Sequence, residues 1–172
     1  MSSYEFSIIA TGLSIDGDEW EDSFYEAGCD DALVGVRRGL FVLDFNREAA
    51  TLAEAVESAC ADMRRAGATI VRIEPDPLVS PSDIAERAAI TRQAISLYVN
   101  GERGEGFPPP VACVSGSRPL WKWSEVAVWL HAIGKIDQSV VEAAQLFERL
   151  NVDGYFVGQH AGADASAPTR MP

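Results

Sequence analysis

The chain has 172 residues, of which 47% are hydrophobic and 23% charged, and its net charge is −12. This balance is typical of a soluble globular protein. No apolar run approaches the roughly 18 residues that a membrane helix needs, and residues 1–22 lack the basic region of a secretory signal. We therefore expect a cytoplasmic protein that does not enter membranes.

Residues 1–76 show alternating strand and helix patterns. In chain order they predict a strand at 4–10, a helix at 16–28, a hairpin of strands at 32–36 and 40–45, a helix at 52–66 and a strand at 69–73. Thr51 is placed to cap the second helix. This order is that of the split βαβ motif, so we predict an acidic, ferredoxin-like α/β domain whose boundary is marked by Pro75 and Pro77.

Few polar residues in this first domain are clustered. Asp30 and Asp31 follow Cys29, and we favour a polar turn over a metal or acid pair, because Asp is a common turn residue. Arg37-Arg38 in the hairpin is expected to be a solvated tip. The sequence contains no nucleophile–base set, phosphate-binding loop or metal-ligand cluster, so we predict neither an enzyme nor a cofactor.

The cysteines and histidines are scattered along the chain. Cys29, Cys60 and Cys113 form no CxxC pair, and His131 and His160 are isolated. An odd number of distant cysteines in a reducing compartment predicts three buried or half-buried thiols. We expect no metal.

The charge is unevenly distributed. Residues 1–78 carry 16 acids and 6 bases, residues 79–135 carry 5 acids and 6 bases, and residues 136–172 carry 5 acids and 2 bases. Because phosphates repel the two acidic segments, contact with nucleic acid is predicted within 79–135. Its net charge of +1 predicts modest nonspecific affinity and a need for a second copy or close base contacts.

The middle of the chain predicts two short helices. Ser80 and Thr91 are placed to cap helices over 81–88 and 92–100, and Ala89-Ile90 supplies the turn between them. Two short helices joined in this way form a helix-turn-helix.

A hairpin and two further helices are predicted after it. Strands at 111–114 and 120–123 flank a turn that contains Arg118, which predicts a wing. A helix capped by Ser124 follows, and then an amphipathic helix at 137–150. We therefore predict an α+β chain whose later parts are a winged helix-turn-helix domain at 78–135, a C-terminal helix at 136–157 and a disordered tail at 158–172.

Several runs of this region form a recognisable pattern. They are Asp83-Ile84-Ala85-Glu86-Arg87-Ala88, Ile90-Thr91-Arg92-Gln93-Ala94-Ile95-Ser96-Leu97-Tyr98, Phe107-Pro108-Pro109-Pro110-Val111, Trp121-Lys122-Trp123-Ser124-Glu125-Val126 and Trp129-Leu130. With them, residues 80–130 resemble the winged helix-turn-helix domain of the excisionase-like branch of the MerR-type regulators, which are bacterial DNA-binding proteins. One departure is Ala89, where such turns often carry glycine, so the turn is strained if that residue has a positive φ.

The resemblance implies that the second helix enters the major groove and presents its first residues to base edges. Arg92 suits guanine and Gln93 suits adenine, and each such pair discriminates by about 1–3 kcal/mol. The predicted DNA-contacting residues are Thr91, Arg92, Gln93 and Ser96, then Tyr98 and Asn100 at the DNA backbone, then Arg103, Arg118 and Lys122 near the wing. For Trp121, Trp123 and Trp129 we expect packing in the core.

Two functional hypotheses follow. The first is a sequence-specific transcriptional regulator that binds double-stranded DNA as a homodimer, joined through the helix at 137–150 or through the open face of the first sheet. The alternative is a protein-interaction module, such as an antitoxin or a phage-related adaptor. Its acidic N-terminal domain would bind a protein partner, and its DNA binding would be autoregulatory.

Overall fold

A computed structural model describes residues 1–152 and confirms the predicted α+β class. The elements are β1 (Ser2–Thr11), α1 (Glu19–Glu26), β2 (Ala32–Arg37), β3 (Leu40–Ala49), α2 (Leu52–Arg65), β4 (Thr69–Glu74), β5 (Leu78–Val79), α3 (Pro81–Arg87), α4 (Arg92–Val99), β6 (Trp121–Lys122), α5 (Trp123–Ala132) and α6 (Gln138–Val152). The predicted tail at 158–172 and the end of the predicted segment at 136–157 lie outside the described residues. Within residues 1–152, every helix is too short or too polar to cross a bilayer.

The first four strands form one antiparallel sheet in the order β2-β3-β1-β4. Side chains of β3 alternate in burial, because successive residues of a strand point to opposite faces. Phe41, Leu43 and Phe45 are buried on the face that α1 and α2 cover, where Phe24 and Met63 pack against the sheet. One face of the sheet therefore holds the first hydrophobic core.

The other face of this sheet carries both polar and apolar side chains, because Leu33, which pairs with Asp44, is 75% exposed there. Glu5, Asp44 and Asn46 are exposed there, and the Ser7 hydroxyl donates to Asp44 at 2.6 Å. Protein interfaces bury a core from which charged residues are depleted. The dimer contact predicted at this open face stays a prediction.

Arg47 on β3 is the exception to this apolar core, because it is a buried charge only 7% exposed. Its guanidinium donates to both carboxylate oxygens of Asp31 at 2.7 and 2.8 Å, to Asp62 at 2.8 Å, to Ser58 at 3.2 Å and to the Gly28 carbonyl at 2.9 Å. All five N–H donors are thus bonded, and the bonds to Asp31, followed by those to Asp62, raise the pKa of Arg47. The predicted polar turn at Asp30 and Asp31 is confirmed, and Asp31 also joins this turn to β3 through Arg47.

Helix α6 packs against both halves of the chain. Its apolar stripe is confirmed, and Phe147 belongs to the core of the first sheet. Val141 and Ala144 belong to a second core, formed with α3, α4 and α5. This stripe is therefore buried within the same chain, and a dimer contact through the exposed side of α6 stays a prediction.

The predicted wing is shorter than the sequence indicates. Among the described residues of this hairpin, only Ala112 and Leu120 form a bridge, with Leu120 N–H donating to the Ala112 carbonyl at 2.9 Å. Cys113 has a φ of 53°, which turns the chain and ends the pairing. Beyond the bridge, β6 pairs with β5, and Trp123 begins α5, so Ser124 lies within this helix and does not cap it.

The predicted state of the thiols is confirmed for two of the three cysteines. Cys29 and Cys60 are buried, and burial raises the pKa of Cys29 to about 11 and that of Cys60 to about 12. Cys113 is exposed, contrary to the prediction, because the bend after the bridge leaves the surrounding segment at the surface.

Candidate nucleic-acid interface

Helices α3 and α4 begin as their caps predict. The Ser80 hydroxyl accepts from Asp83 N–H at 3.3 Å, and the Asp83 carboxylate accepts from Ser80 N–H at 2.7 Å, which completes a capping box. The Ser80 hydroxyl also donates to the Asp83 carboxylate at 2.6 Å, and this bond, followed by the bond from Ser80 N–H, lowers the pKa of Asp83. The Thr91 hydroxyl accepts from Ala94 N–H at 3.2 Å and caps α4. Both caps fix where the first residues of α4 lie.

Ala89 forms the turn between α3 and α4 with a φ of 52°. Ile90 N–H donates to the Ala85 carbonyl at 2.9 Å, so the turn closes the C-terminal end of α3. A side chain at positive φ is strained, because its Cβ approaches the backbone. The expected strain at this position is therefore present.

One side of α4 is buried and the other faces solvent. Ile95 packs in the second core and is fully buried. Thr91, Arg92, Gln93 and Ser96 are exposed. Since residues three and four apart are neighbours on a helix, Ser96 lies beside both Arg92 and Gln93. The structure brings together the guanidinium, amide and hydroxyl groups that the sequence analysis singled out on this helix.

Tyr98 differs from the predicted set, because its side chain is only 3% exposed. Its ring lies 4.9 Å from that of Trp129 and 6.4 Å from that of Phe107, measured between centroids. Position 98 falls three residues after Ile95, on the same buried side of α4. Tyr98 therefore positions the helix from within the core, and we leave it out of the interface.

Arg103 and Asn100 lie at the end of α4. Arg103 N–H donates to the Leu97 carbonyl at 3.1 Å, and the Arg103 guanidinium lies 5.9 Å from the centre of the Tyr98 ring. Asn100 is exposed and donates from its amide to Glu102 at 3.4 Å. Both side chains are at the surface, with an acidic neighbour beside them.

Gly104 holds the next segment against α5. Its φ is 73°, and a Cβ at this position would lie 2.9 Å from Cζ2 of Trp129. The Trp129 indole also donates to the Glu105 carbonyl at 2.9 Å. The sequence analysis missed this role, although a glycine between two charged residues and before three prolines is a visible signal.

Arg118 and Lys122, the two bases predicted near the wing, have different surroundings. Arg118 is exposed in the loop between the bridged residues Ala112 and Leu120. The Lys122 ammonium lies 3.0 Å from Glu148 on α6 and 3.8 Å from Glu125, and the bond to Glu148 raises the pKa of Lys122. Because its charge is already paired and is directed towards α6, we leave Lys122 out of the interface.

Arg87 is a structural contact that the sequence analysis did not identify. Its guanidinium donates to the Asp76 carbonyl at 2.8 Å and lies 5.6 Å from the centre of the Trp123 ring. Burial lowers the pKa of Arg87. This side chain ties α3 to the segment between the two halves. The buried positions of Trp121 and Trp123 and the half-buried position of Trp129 confirm their predicted packing.

The exposed members of the predicted set are Thr91, Arg92, Gln93, Ser96, Asn100 and Arg103, in or next to α4, and Arg118, in the loop between the bridged residues Ala112 and Leu120. All seven side chains are exposed. They combine three permanent positive charges with neutral hydrogen-bonding groups, a set that can contact anionic groups and the edges of planar amides or bases. Comparison of the chain with models of protein families, with curated proteins and with solved structures finds no significant match.

Proposed function

We propose that the chain is a sequence-specific, DNA-binding transcriptional regulator that acts as a homodimer and inserts α4 into the major groove. One observation carries this proposal: Arg92 and Gln93 are exposed in the first turn of α4, next to Ser96. Arginine pairs with two acceptors of guanine, and glutamine pairs with the donor and acceptor of adenine. The groups at this helix end therefore suit direct reading of base edges.

The surrounding architecture supports the same proposal. A short strand before α3 pairs with a short strand after the bridge, and α3 and α4 lie between them in the chain. This arrangement suits a winged helix-turn-helix at 78–135 like that of the excisionase-like MerR-type regulators, with a short wing carrying Arg118. The order β2-β3-β1-β4 suits a ferredoxin-like domain at 1–76. The proposal keeps the predicted cytoplasmic location.

A second copy is part of the proposal because the charge of one copy is small. Residues 79–135 carry a net charge of +1, and Lys122 is paired with Glu148. Nonspecific affinity for DNA depends on the number of phosphates that a protein neutralises. Two copies would double that number and would read two half-sites about one helical turn apart.

The test begins with selection of bound duplexes from a random DNA pool. We expect an enriched sequence with two half-sites, and Arg92→Ala combined with Gln93→Ala should reduce affinity for it to the level of random DNA. Each base pair so read contributes about 1–3 kcal/mol. The matched control is Gln145→Ala with Arg149→Ala, which removes the same residue types from exposed positions of α6. Full affinity in the α4 double variant would exclude the assigned groove contact.

The acidic open face favours a second candidate function, the protein-interaction module. Glu5 and Asp44 are exposed on that face, within a segment of 16 acids and 6 bases. A basic protein would be attracted to it. The test uses the full chain, because Phe147 of α6 completes the first core. The double variant Glu5→Lys with Asp44→Lys should release a basic protein partner but keep its binding to the operator. A partner that this variant still binds would contradict the function.

A further inference from the structure

The two edge strands of the first sheet, β4 and β2, differ in how well they are protected from pairing with another strand. At the β4 edge, the pairing with β1 contains an irregularity between Ile9 and Ala10, and the side chain of Asn151 bonds to the backbone of Ile73. Pro75 follows the strand directly. Bulges, prolines and covering helices are the usual means of blocking strand addition at an edge. The β4 edge is therefore protected.

Within residues 1–152, the β2 edge has none of these features. Ala32–Arg37 contains no proline or lysine, and its pairing with β3 is regular along its whole length. Leu33 is 75% exposed and Val36 is 39% exposed. An apolar, regular edge strand offers its free backbone groups to another strand.

The backbone groups that β2 offers follow from its pairing with β3. Asn46 N–H donates to the Asp31 carbonyl at 3.1 Å, and hydrogen-bonded pairs alternate along an antiparallel ladder. The backbone groups of Leu33 and Gly35 therefore point to β3. Those of Val34 and Val36, together with the carbonyl of Ala32, point away from the sheet.

Antiparallel pairing of β2 with itself, centred on Val34, fits these groups. Val34 then pairs with Val34 of a second copy, and Val36 N–H donates to the second copy's Ala32 carbonyl. Leu33 lies opposite Gly35 on the open face. A Cβ at Gly35 would meet nothing within 4 Å, and its φ is not in the left-handed region, so nothing within the chain requires glycine there. The space beside Gly35 accommodates the second copy's Leu33.

The charges at the two ends of β2 are complementary in the same register. Asp30 precedes the strand, whereas Arg37 and Arg38 end it, and none of the three forms an ion pair within residues 1–152. Centred on Val34, antiparallel pairing brings the turn that contains Asp30, at the start of β2, next to the turn that contains Arg38, at the end of the second copy's β2. A parallel pairing instead sets like charges side by side. The charges therefore favour antiparallel pairing, and the fit of Leu33 against Gly35 favours the register centred on Val34.

We propose that two copies of the chain join through their β2 edges, antiparallel and centred on Val34, so that their sheets become continuous. This dimer rests on the homodimer of the proposed function and supplies its interface, but it needs none of the DNA contacts. The acidic end of each β2 contacts the basic end of the other copy, and the exposed Leu33 of each copy covers Gly35 of the other.

The test is sedimentation equilibrium of the full chain without DNA, at low salt. The wild-type chain should be a dimer. Asp30→Arg alone and Arg38→Glu alone should each weaken it by about tenfold, because each sets two like-charge pairs across the symmetric interface. An equimolar mixture of the two variants should restore association, since the mixed dimer pairs opposite charges at both ends. Arg149→Glu, an exposed charge reversal on α6, should leave dimerisation unchanged.

Val34→Pro provides an independent variant. It removes an N–H that points away from β3, so the chain's own sheet keeps its hydrogen bonds, but the pairing of the two copies is blocked. We expect a folded monomer by circular dichroism and sedimentation; if this variant does not fold, the mixing experiment decides. A monomeric wild-type chain, or a dimer that mixing and charge reversal leave unchanged, overturns the β2 interface. A dimer that selects no DNA sequence would instead overturn the proposed function alone.

Discussion

The side chain of Asn151, near the end of α6, pairs with both backbone groups of Ile73 on β4. Ile73 N–H donates to the amide oxygen at 2.9 Å, and the amide nitrogen donates to the Ile73 carbonyl at 2.9 Å and to the Phe147 carbonyl at 2.8 Å. A side-chain amide offers the same donor and acceptor as a peptide group. Asn151 therefore takes the place of one residue of a neighbouring strand, and it anchors α6 to the edge of the sheet.

Asn151→Ala should lower the free energy of unfolding by about 1–3 kcal/mol, because the backbone groups of the buried Ile73 lose their partners. Urea denaturation measures the change. Gln145→Ala, at an exposed position of the same helix, should change it by less than about 0.5 kcal/mol. Equal effects of the two variants would show that the Asn151 bonds contribute nothing to stability.

Removal of Arg118 should change how DNA binding depends on salt. If its guanidinium contacts a phosphate, Arg118→Ala should reduce the slope of log affinity against log salt concentration by about 1 for each half-site. Lys122→Ala is the control, because that ammonium is already paired with Glu148. The measurement is a titration of the selected duplex at several salt concentrations. A change of slope with Lys122→Ala, and none with Arg118→Ala, would reverse the assignment of the two bases.

Ala89→Gly should stabilise the chain by about 0.5–1 kcal/mol. Glycine removes the strain of a side chain at a φ of 52°, and part of the gain is offset by the greater freedom of the unfolded chain. Ala61→Gly, at an exposed position within α2, is the same change at a helical φ and should destabilise by about 1 kcal/mol. Thermal unfolding of both variants measures the two effects. A loss of stability at position 89 would be incompatible with this turn.

Glu148 should contribute to stability at neutral pH but not at acidic pH. Its carboxylate accepts from the Ser124 hydroxyl and from the Lys122 ammonium, and these bonds lower the pKa of Glu148. The pKa of Glu148 is therefore lower in the folded than in the unfolded chain. Its contribution to the free energy of unfolding is present at a pH above the ordinary Glu pKa of about 4.3. That contribution is lost as the pH falls through the pKa of Glu148 in the folded chain.

Glu148→Gln should therefore reduce the loss of stability between about pH 5 and pH 3. Urea denaturation across this range measures it. Glu142→Gln, at an exposed position of the same helix, serves as the control. The same pH dependence in the wild-type chain and in Glu148→Gln would mean that this carboxylate is not the group that titrates.

Local patterns predicted most of the helices and strands and the exposed side of α4. Alternation in β3 and the caps at Ser80 and Thr91 are local signals, and each is found at the predicted position. Tyr98 was predicted to contact the DNA backbone because it lies further along α4, whereas its spacing of three from Ile95 indicated the core. The wing was overestimated because the pattern of apolar residues does not report the positive φ at Cys113.

Contacts between distant residues were not predicted. Arg47 reaches Asp62, and Asn151 reaches Ile73, and neither pair has a spacing that a helix or strand would bring together. Both depend on how whole elements pack. One signal was available for Arg47, because it continues the buried alternation of Phe41, Leu43 and Phe45, where a charge needs a partner.

Helix α6 supplies side chains to both hydrophobic cores and follows the other elements of both in the chain. During synthesis, both cores therefore remain incomplete until α6 has left the ribosome. Until α6 emerges, the nascent polypeptide carries a β4 edge without Asn151 and a second core without Val141 and Ala144. Unpaired strand edges and exposed apolar surface are what make partly synthesised chains prone to misassembly. Helix α6 therefore has to be synthesised before either hydrophobic core can be completed, so the stability of both halves depends on the same element.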